Sequence, residues 1–132
     1  MSDKKLHIAQ MRSPLGRVRG MGSAKQGSHH WWIQRVTSIA LLPLMLWFTL
    51  SVATMGGISY VETIAWIGHP LNAALLLLTV GIAFHHTASG LQVLIEDYVA
   101  DEWKRTAAVL LIKGACLLLA VLSAVAVLKI AI

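Results

Sequence analysis

TIAWIGHPLNAALLLLTVGIAFHHTASGLQVLI, residues 63–95, contains no Asp, Glu, Lys or Arg. A helix needs about 20 apolar residues to cross a hydrocarbon core about 30 Å thick, and this run is longer. Lipid offers no partner for backbone N–H and C=O groups, so a segment of this kind must close its own hydrogen bonds as a helix. Outward from it lie two further apolar runs. Val36 to Val61 is also free of charge, and Thr106 to Ile132 is interrupted only by Lys113 and Lys129. A chain of 132 residues that is 57% hydrophobic and 13% charged has too much apolar surface for a small water-soluble core. The reading is one all-α integral membrane domain with three transmembrane helices.

Local signals set the expected boundaries. Residues 1–27 carry Pro14, several glycines and scattered charge without a sustained period, which reads as an extended basic arm. The membrane domain then covers 28–132, with helices over about 28–55, 70–99 and 104–131. Ser28 is the expected cap of the first helix, and Trp31 and Trp32 suit an interfacial aromatic belt. Pro43 is expected to kink that helix, because it lacks a backbone donor and crowds the preceding turn. Gly56-Gly57 ends the first span, and Gly57 to His69 reads as a connection. Pro70 is acceptable in the first turn of the second helix. Residues 100–105, ADEWKR, form a short polar loop before the third.

The net charge of +5 is unevenly distributed. Lys4, Lys5, Arg12, Arg17, Arg19 and Lys25 precede the first span, Lys104 and Arg105 lie between the second and third, and residues 57–69 carry neither Lys nor Arg. The positive-inside rule therefore places the N-terminus and the Asp97–Arg105 end in the cytoplasm or matrix, and the C-terminus outside. No aromatic residue is interleaved among the arm's cations, which argues against a nucleic-acid surface. The opening residues lack a hydrophobic secretory core. They read as a retained bacterial tail, with an organelle transit peptide as the alternative. Lys113 lies close enough to its helix start to snorkel back to the interface. Cys116, the single cysteine, excludes an internal disulfide and a cysteine-based metal site.

The chemistry concentrates in the second span. Ionisable groups within a span are costly and usually face a bundle interior or a cofactor. His86 and Asp97 are eleven residues apart, three helical turns plus roughly 20°, so they share a face with Ser89, Gly90 and Val93. The rise between them is about 16 Å, which sets His86 near mid-membrane if Asp97 marks the interface. An imidazole at that depth can bridge helices, relay protons, or ligate a metal or haem iron. Gly90, one turn away, removes bulk where a flat macrocycle could lie. His85 projects about 100° away. Spacing alone leaves these roles open, and Glu96-Asp97-Tyr98 also suits an ordinary interfacial cluster.

GLQVLIEDYV, residues 90–99, with a histidine four positions before its glycine, resembles the hydrophobic membrane anchor of the succinate dehydrogenase family (respiratory complex II), in its alphaproteobacterial form. HHWWIQRVTSIALLPL, residues 29–44, is similar to the start of that family's first anchor helix. The resemblance covers about residues 28–132. It implies that the three helices form half of a heterodimeric anchor bundle in a bacterial inner membrane, or alternatively a mitochondrial one. It implies that His86 is one axial ligand of the iron of a haem b, the other histidine coming from a second cytochrome b anchor subunit. It implies that Tyr98 donates a hydrogen bond to ubiquinone, that Asp97 arranges charge and proton supply beside it, and that Arg35 lies by the haem propionates or the quinone pocket. The adjacent His85 departs from the pattern, and the eleven-residue interval to Asp97 favours His86.

The further implied partners are an iron–sulfur subunit, a flavoprotein subunit and membrane lipid. The chain lacks cluster cysteines and a flavin-binding glycine pattern, so it is not catalytic alone; it would serve electron transfer to quinone within a larger enzyme of the tricarboxylic acid cycle. Two other readings remain at this stage: a haem-free structural anchor for a soluble partner, and a small transporter using His85 and His86 as a relay. His29 and His30 are expected near the partner surface, and His69 at the outer start of the second helix.

Overall fold

A computed structural model describes residues 25–132, with side-chain surroundings from Ser28 onward. The expected arm, with Lys4 to Arg19, lies outside the described residues, and helical backbone is described from Lys25. Four helices follow: α1 Lys25–Thr54, α2 Tyr60–Gly68, α3 Pro70–Tyr98 and α4 Glu102–Ala131. Of these, α1, α3 and α4 are long and apolar enough to cross a membrane, as the uncharged runs require. No strand occurs among the described residues.

The boundaries differ from expectation where a local hydrogen bond decides them. Ser28 is not a cap, because α1 has already begun at Lys25. Helical backbone continues on both sides of Pro43. Thr54 closes α1, and Met55–Gly57 turns through hydrogen bonds from Met55 N to Val52 O (3.1 Å) and from Ile58 N to Met55 O (3.2 Å). Gly57 takes φ +90°, a conformation that a side chain would strain.

The connection expected over 57–69 contains a helix of its own. Ser59 and Glu62 form a reciprocal capping box: the Ser59 hydroxyl accepts from Glu62 N–H, and the Glu62 carboxylate accepts from Ser59 N–H at 2.7 Å. These bonds hold the Glu62 carboxyl below its ordinary range, the backbone N–H of Ser59 being the larger cause and its hydroxyl the second. His69 ends α2 and precedes Pro70, which opens α3 at the expected position. Asn72 Nδ2 donates back to Trp66 O at 2.8 Å, tying α3 to α2. Trp66 stacks on Trp47 of α1, with centroids 5.7 Å apart and 18° between planes. A Cβ on Gly68 would lie 3.4 Å from Ile130 O, so the end of α2 also sits close to the end of α4.

Helix α4 starts at Glu102, earlier than expected, because Asp101 caps it. The Asp101 carboxylate accepts from Trp103 N–H (3.1 Å) and Lys104 N–H (3.4 Å) and pairs with Lys104 Nζ at 3.4 Å. The loop inferred from ADEWKR shrinks accordingly.

Residues 33–132 form one compact unit. Its buried positions among the described residues are small: Ala73, Thr79 and Ser89, all on α3. Small residues let helix backbones approach, and in lipid this packing replaces the hydrophobic driving force. Thr79 satisfies its hydroxyl on Leu75 O at 2.7 Å. The large apolar residues of α4, among them Leu110, Leu111, Leu117 and Leu118, face outward. On α1 half-buried residues recur at spacings of three and four, as in Gln34, Thr37, Leu41, Leu44, Phe48 and Ser51, with Ile33, Ala40 and Trp47 beside them. That period is the stripe of a helix packing along one seam. The described residues ahead of this unit are the opening turns of α1. There Trp31 and Trp32 are exposed and stacked, with centroids 5.7 Å apart.

Candidate functional site between α1 and α3

His86 is half-buried and His85 is exposed. The turn of about 100° between successive helical residues separates the two rings. The His86 imidazole reaches α1 with both of its nitrogens. Nδ1 lies 2.9 Å from Thr37 Oγ1, and Nε2 lies 3.4 Å from Gln34 Nε2. Gln34 and Thr37 are three apart on the inward stripe of α1, so one helical turn presents both to the same ring.

Thr37 also bonds its own helix. Its hydroxyl lies 2.8 Å from Ile33 O and 3.1 Å from Gln34 O. The other face of the Gln34 amide is unsatisfied: Oε1 is buried with no hydrogen-bond partner among the described residues. A buried acceptor left in this way costs about 1–3 kcal/mol. Gly90 lies beside the same amide, and a Cβ there would come 3.3 Å from Gln34 Nε2. Gly90 therefore leaves room for this side chain next to the imidazole.

The other candidates sit apart from this cluster. Asp97 is exposed, and Tyr98, the last residue of α3, is 83% exposed. Neither has a side-chain hydrogen bond or ion pair among the described residues. Glu96 instead accepts from Gln92 Nε2 at 2.6 Å, one turn back on its own helix. The shared stripe thus divides by depth. His86, Ser89 and Gly90 lie within the helix packing, whereas Val93 and Asp97 are exposed. Arg35, next to Gln34 in the chain, is exposed. His69 is exposed at the α2–α3 junction, and Lys113 is exposed along α4. In the opening turns of α1, His29 is exposed, while His30 Nε2 is buried without a hydrogen-bond partner among the described residues.

Gln34 and Thr37 are the site residues that sequence reasoning missed. The signal was present in HHWWIQRVT: two polar residues at helical spacing just inside a span. What they meet could not be read, because it depends on the register between α1 and α3.

Comparisons with known proteins identify the family. The family model for the succinate dehydrogenase/fumarate reductase transmembrane subunit matches residues 9–127. A succinate dehydrogenase hydrophobic membrane anchor subunit of Rickettsia bellii is 37% identical over 106 residues, 77% of this chain and 82% of that protein. The same subunit of Rickettsia typhi is 31% identical over 121 residues, 91% of this chain and 96% of its own. The subunit from Paracoccus denitrificans is 30% identical over 95 residues, 72% of this chain and 74% of its own. With three spanning helices and a match over most of its length, the chain belongs to the succinate dehydrogenase/fumarate reductase transmembrane-subunit family.

Proposed function

We propose that this chain is the membrane anchor of a succinate:quinone oxidoreductase, supplying His86 as one axial ligand of a haem b and Tyr98 and Asp97 to the ubiquinone-reduction site. The observation that carries the reading is the His86 imidazole, half-buried between α1 and α3 with Nδ1 already bonded at 2.9 Å to Thr37. A ring so held has Nδ1 bonded at 2.9 Å, while its Nε2 makes only the longer contact, 3.4 Å, to the Gln34 amide nitrogen. That suits a single ligand contributed to a group shared with a neighbouring subunit. The unsatisfied Gln34 Oε1 is further support, because it is a buried acceptor beside the ring that no described residue completes. Bound haem supplies a one-electron couple at low dielectric, its potential tuned by the axial imidazoles and their hydrogen bonds.

Each remaining role rests on the chemistry of a side chain. Tyr98 carries a phenol at the end of α3, with its hydroxyl exposed for donation to a quinone carbonyl oxygen. Asp97 has an exposed carboxylate beside it and can pass protons from water toward that oxygen. Quinone reduction takes up two protons, so a donor at the membrane edge is useful where one buried in lipid is not. Arg35 brings a permanent cation beside Gln34, suited to a propionate or to the quinone pocket. The excess of Lys and Arg before α1 and at the α3–α4 turn supports an N-terminus in the cytoplasm and a C-terminus in the periplasm of a bacterial inner membrane.

The partners are a second cytochrome b anchor subunit, an iron–sulfur subunit and a flavoprotein subunit, which deliver electrons from succinate to the quinone. The basic arm 1–27 and the membrane domain 28–132 divide docking from anchoring. The test is the reduced-minus-oxidised spectrum of the purified complex, with and without His86→Leu. A b-type band that disappears in the variant supports the reading. A complex without that band would leave a haem-free structural anchor.

A further inference from the structure

We infer that Thr37 is a positioning residue for the proposed ligand: its hydroxyl accepts a hydrogen bond from His86 Nδ1–H and so holds the tautomer whose Nε2 carries the lone pair that would bind iron. This rests on the haem reading above and adds a residue on a different helix.

The inference follows from counting protons. A threonine hydroxyl has one hydrogen to donate. In Thr37 that hydrogen is directed at the backbone of its own helix, where Ile33 O and Gln34 O lie 2.8 and 3.1 Å away. Toward His86 Nδ1, at 2.9 Å, the oxygen therefore acts as acceptor, and Nδ1 must carry the hydrogen. A neutral imidazole has one N–H, so Nε2 is left with a lone pair. The second contact agrees, because the amide nitrogen of Gln34 is a donor and faces Nε2 at 3.4 Å. The opposite tautomer would need the Gln34 amide turned over and Thr37 withdrawn from both carbonyls to donate to Nδ1. The longer Gln34 contact is the weaker of the two and the more easily given up.

A hydrogen bond to the nitrogen remote from a metal fixes ring orientation and raises ligand basicity. A more basic imidazole favours the oxidised iron. Removing the Thr37 hydroxyl should therefore raise the midpoint potential of the haem, whereas a purely structural clasp between helices would not move it.

The experiment uses the whole purified complex carrying Thr37→Val, with Thr37→Ser as the variant that keeps the hydroxyl. Thr37→Ala serves as a second hydroxyl-free variant should the valine methyl crowd the interface. Redox titration of the b-type band and the low-spin ferric electron paramagnetic resonance spectrum are the readouts. The expected result is a shift favouring the reduced form by up to about tenfold, about 59 mV for a one-electron couple. Altered g-values should accompany it in Val and Ala, and both readouts should return toward wild type in Ser. Unchanged potential and g-values in Val and Ala would overturn the role of Thr37 while leaving His86 in place. A His86→Leu complex that keeps its b-type spectrum would overturn the ligand assignment itself, and with it this inference.

Discussion

Thr37 Oγ1 and His86 Nδ1, 49 positions apart in the chain, lie 2.9 Å from each other across the α1–α3 seam. This contact converts a polar residue in an apolar span from a cost into a specification. The helices cannot slide by one residue without breaking it, and the ring cannot rotate without losing one of its two partners.

The neighbouring histidines should separate by function. His86→Leu is expected to abolish most of the b-type absorbance per complex, and His85→Leu to leave it close to wild type. Pyridine haemochrome assay of both purified complexes is the measurement. Loss in His85→Leu with retention in His86→Leu would reverse the assignment.

Gly90 tests the space beside the imidazole. A Cβ there meets only the end of the flexible Gln34 side chain, at 3.3 Å, and alanine gains about 0.8–1 kcal/mol of helix propensity over glycine. Gly90→Ala should thus assemble normally with near-normal haem content. Gly90→Leu should lower haem occupancy while the complex still forms. Equal haem content in the two variants would show that the space is not used.

At the end of α3, Tyr98→Phe removes a hydroxyl without changing shape. The loss of one hydrogen bond, about 0.5–1.5 kcal/mol, should lower quinone reductase turnover by roughly two- to tenfold. Succinate oxidation measured with an artificial acceptor should remain intact, as should the haem spectrum. Wild-type quinone turnover would remove Tyr98 from the site.

The capping box of α2 gives a pH signature. Hydrogen bonds from Ser59 hold the Glu62 carboxyl below its ordinary value. The charged form is therefore favoured in the folded state, so the contribution is present above the unfolded value and is lost as pH falls through the lowered one. Backbone amides near residue 62 should exchange faster with deuterium in acid, and Glu62→Gln should show less of that dependence. Identical acid sensitivity in the variant would assign the effect elsewhere.

Trp47 and Trp66 join α1 to α2 through a stack at 5.7 Å. A double-mutant cycle on thermal stability in detergent should give a coupling of about 0.5–1.5 kcal/mol. Additive single substitutions would mean that the rings merely lie close together.

How far each part could be read ahead follows from the range of the forces involved. Lipid imposes a one-dimensional rule, length without charge, so the three spans were legible in residues 36–61, 63–95 and 106–132 before any packing was known. Local backbone chemistry was equally close to the surface. Ser59-x-x-Glu62 and Asp101 announce the starts of α2 and α4, although the segments around them read as loop by composition. The eleven-residue interval from His86 to Asp97 gave a common face, but not that its two ends differ in burial.

The primary structure alone determined that this chain spans a membrane three times, which family it resembles, and which imidazoles and carboxylates are available. Those properties depend on composition and on spacing within one helix. Only the tertiary structure decided that His86, rather than His85, turns into the seam, and that Thr37 and Gln34 are what it meets. Side-chain hydrogen bonds act over about 3 Å, so they depend on the register between two helices, and no single helix carries that information.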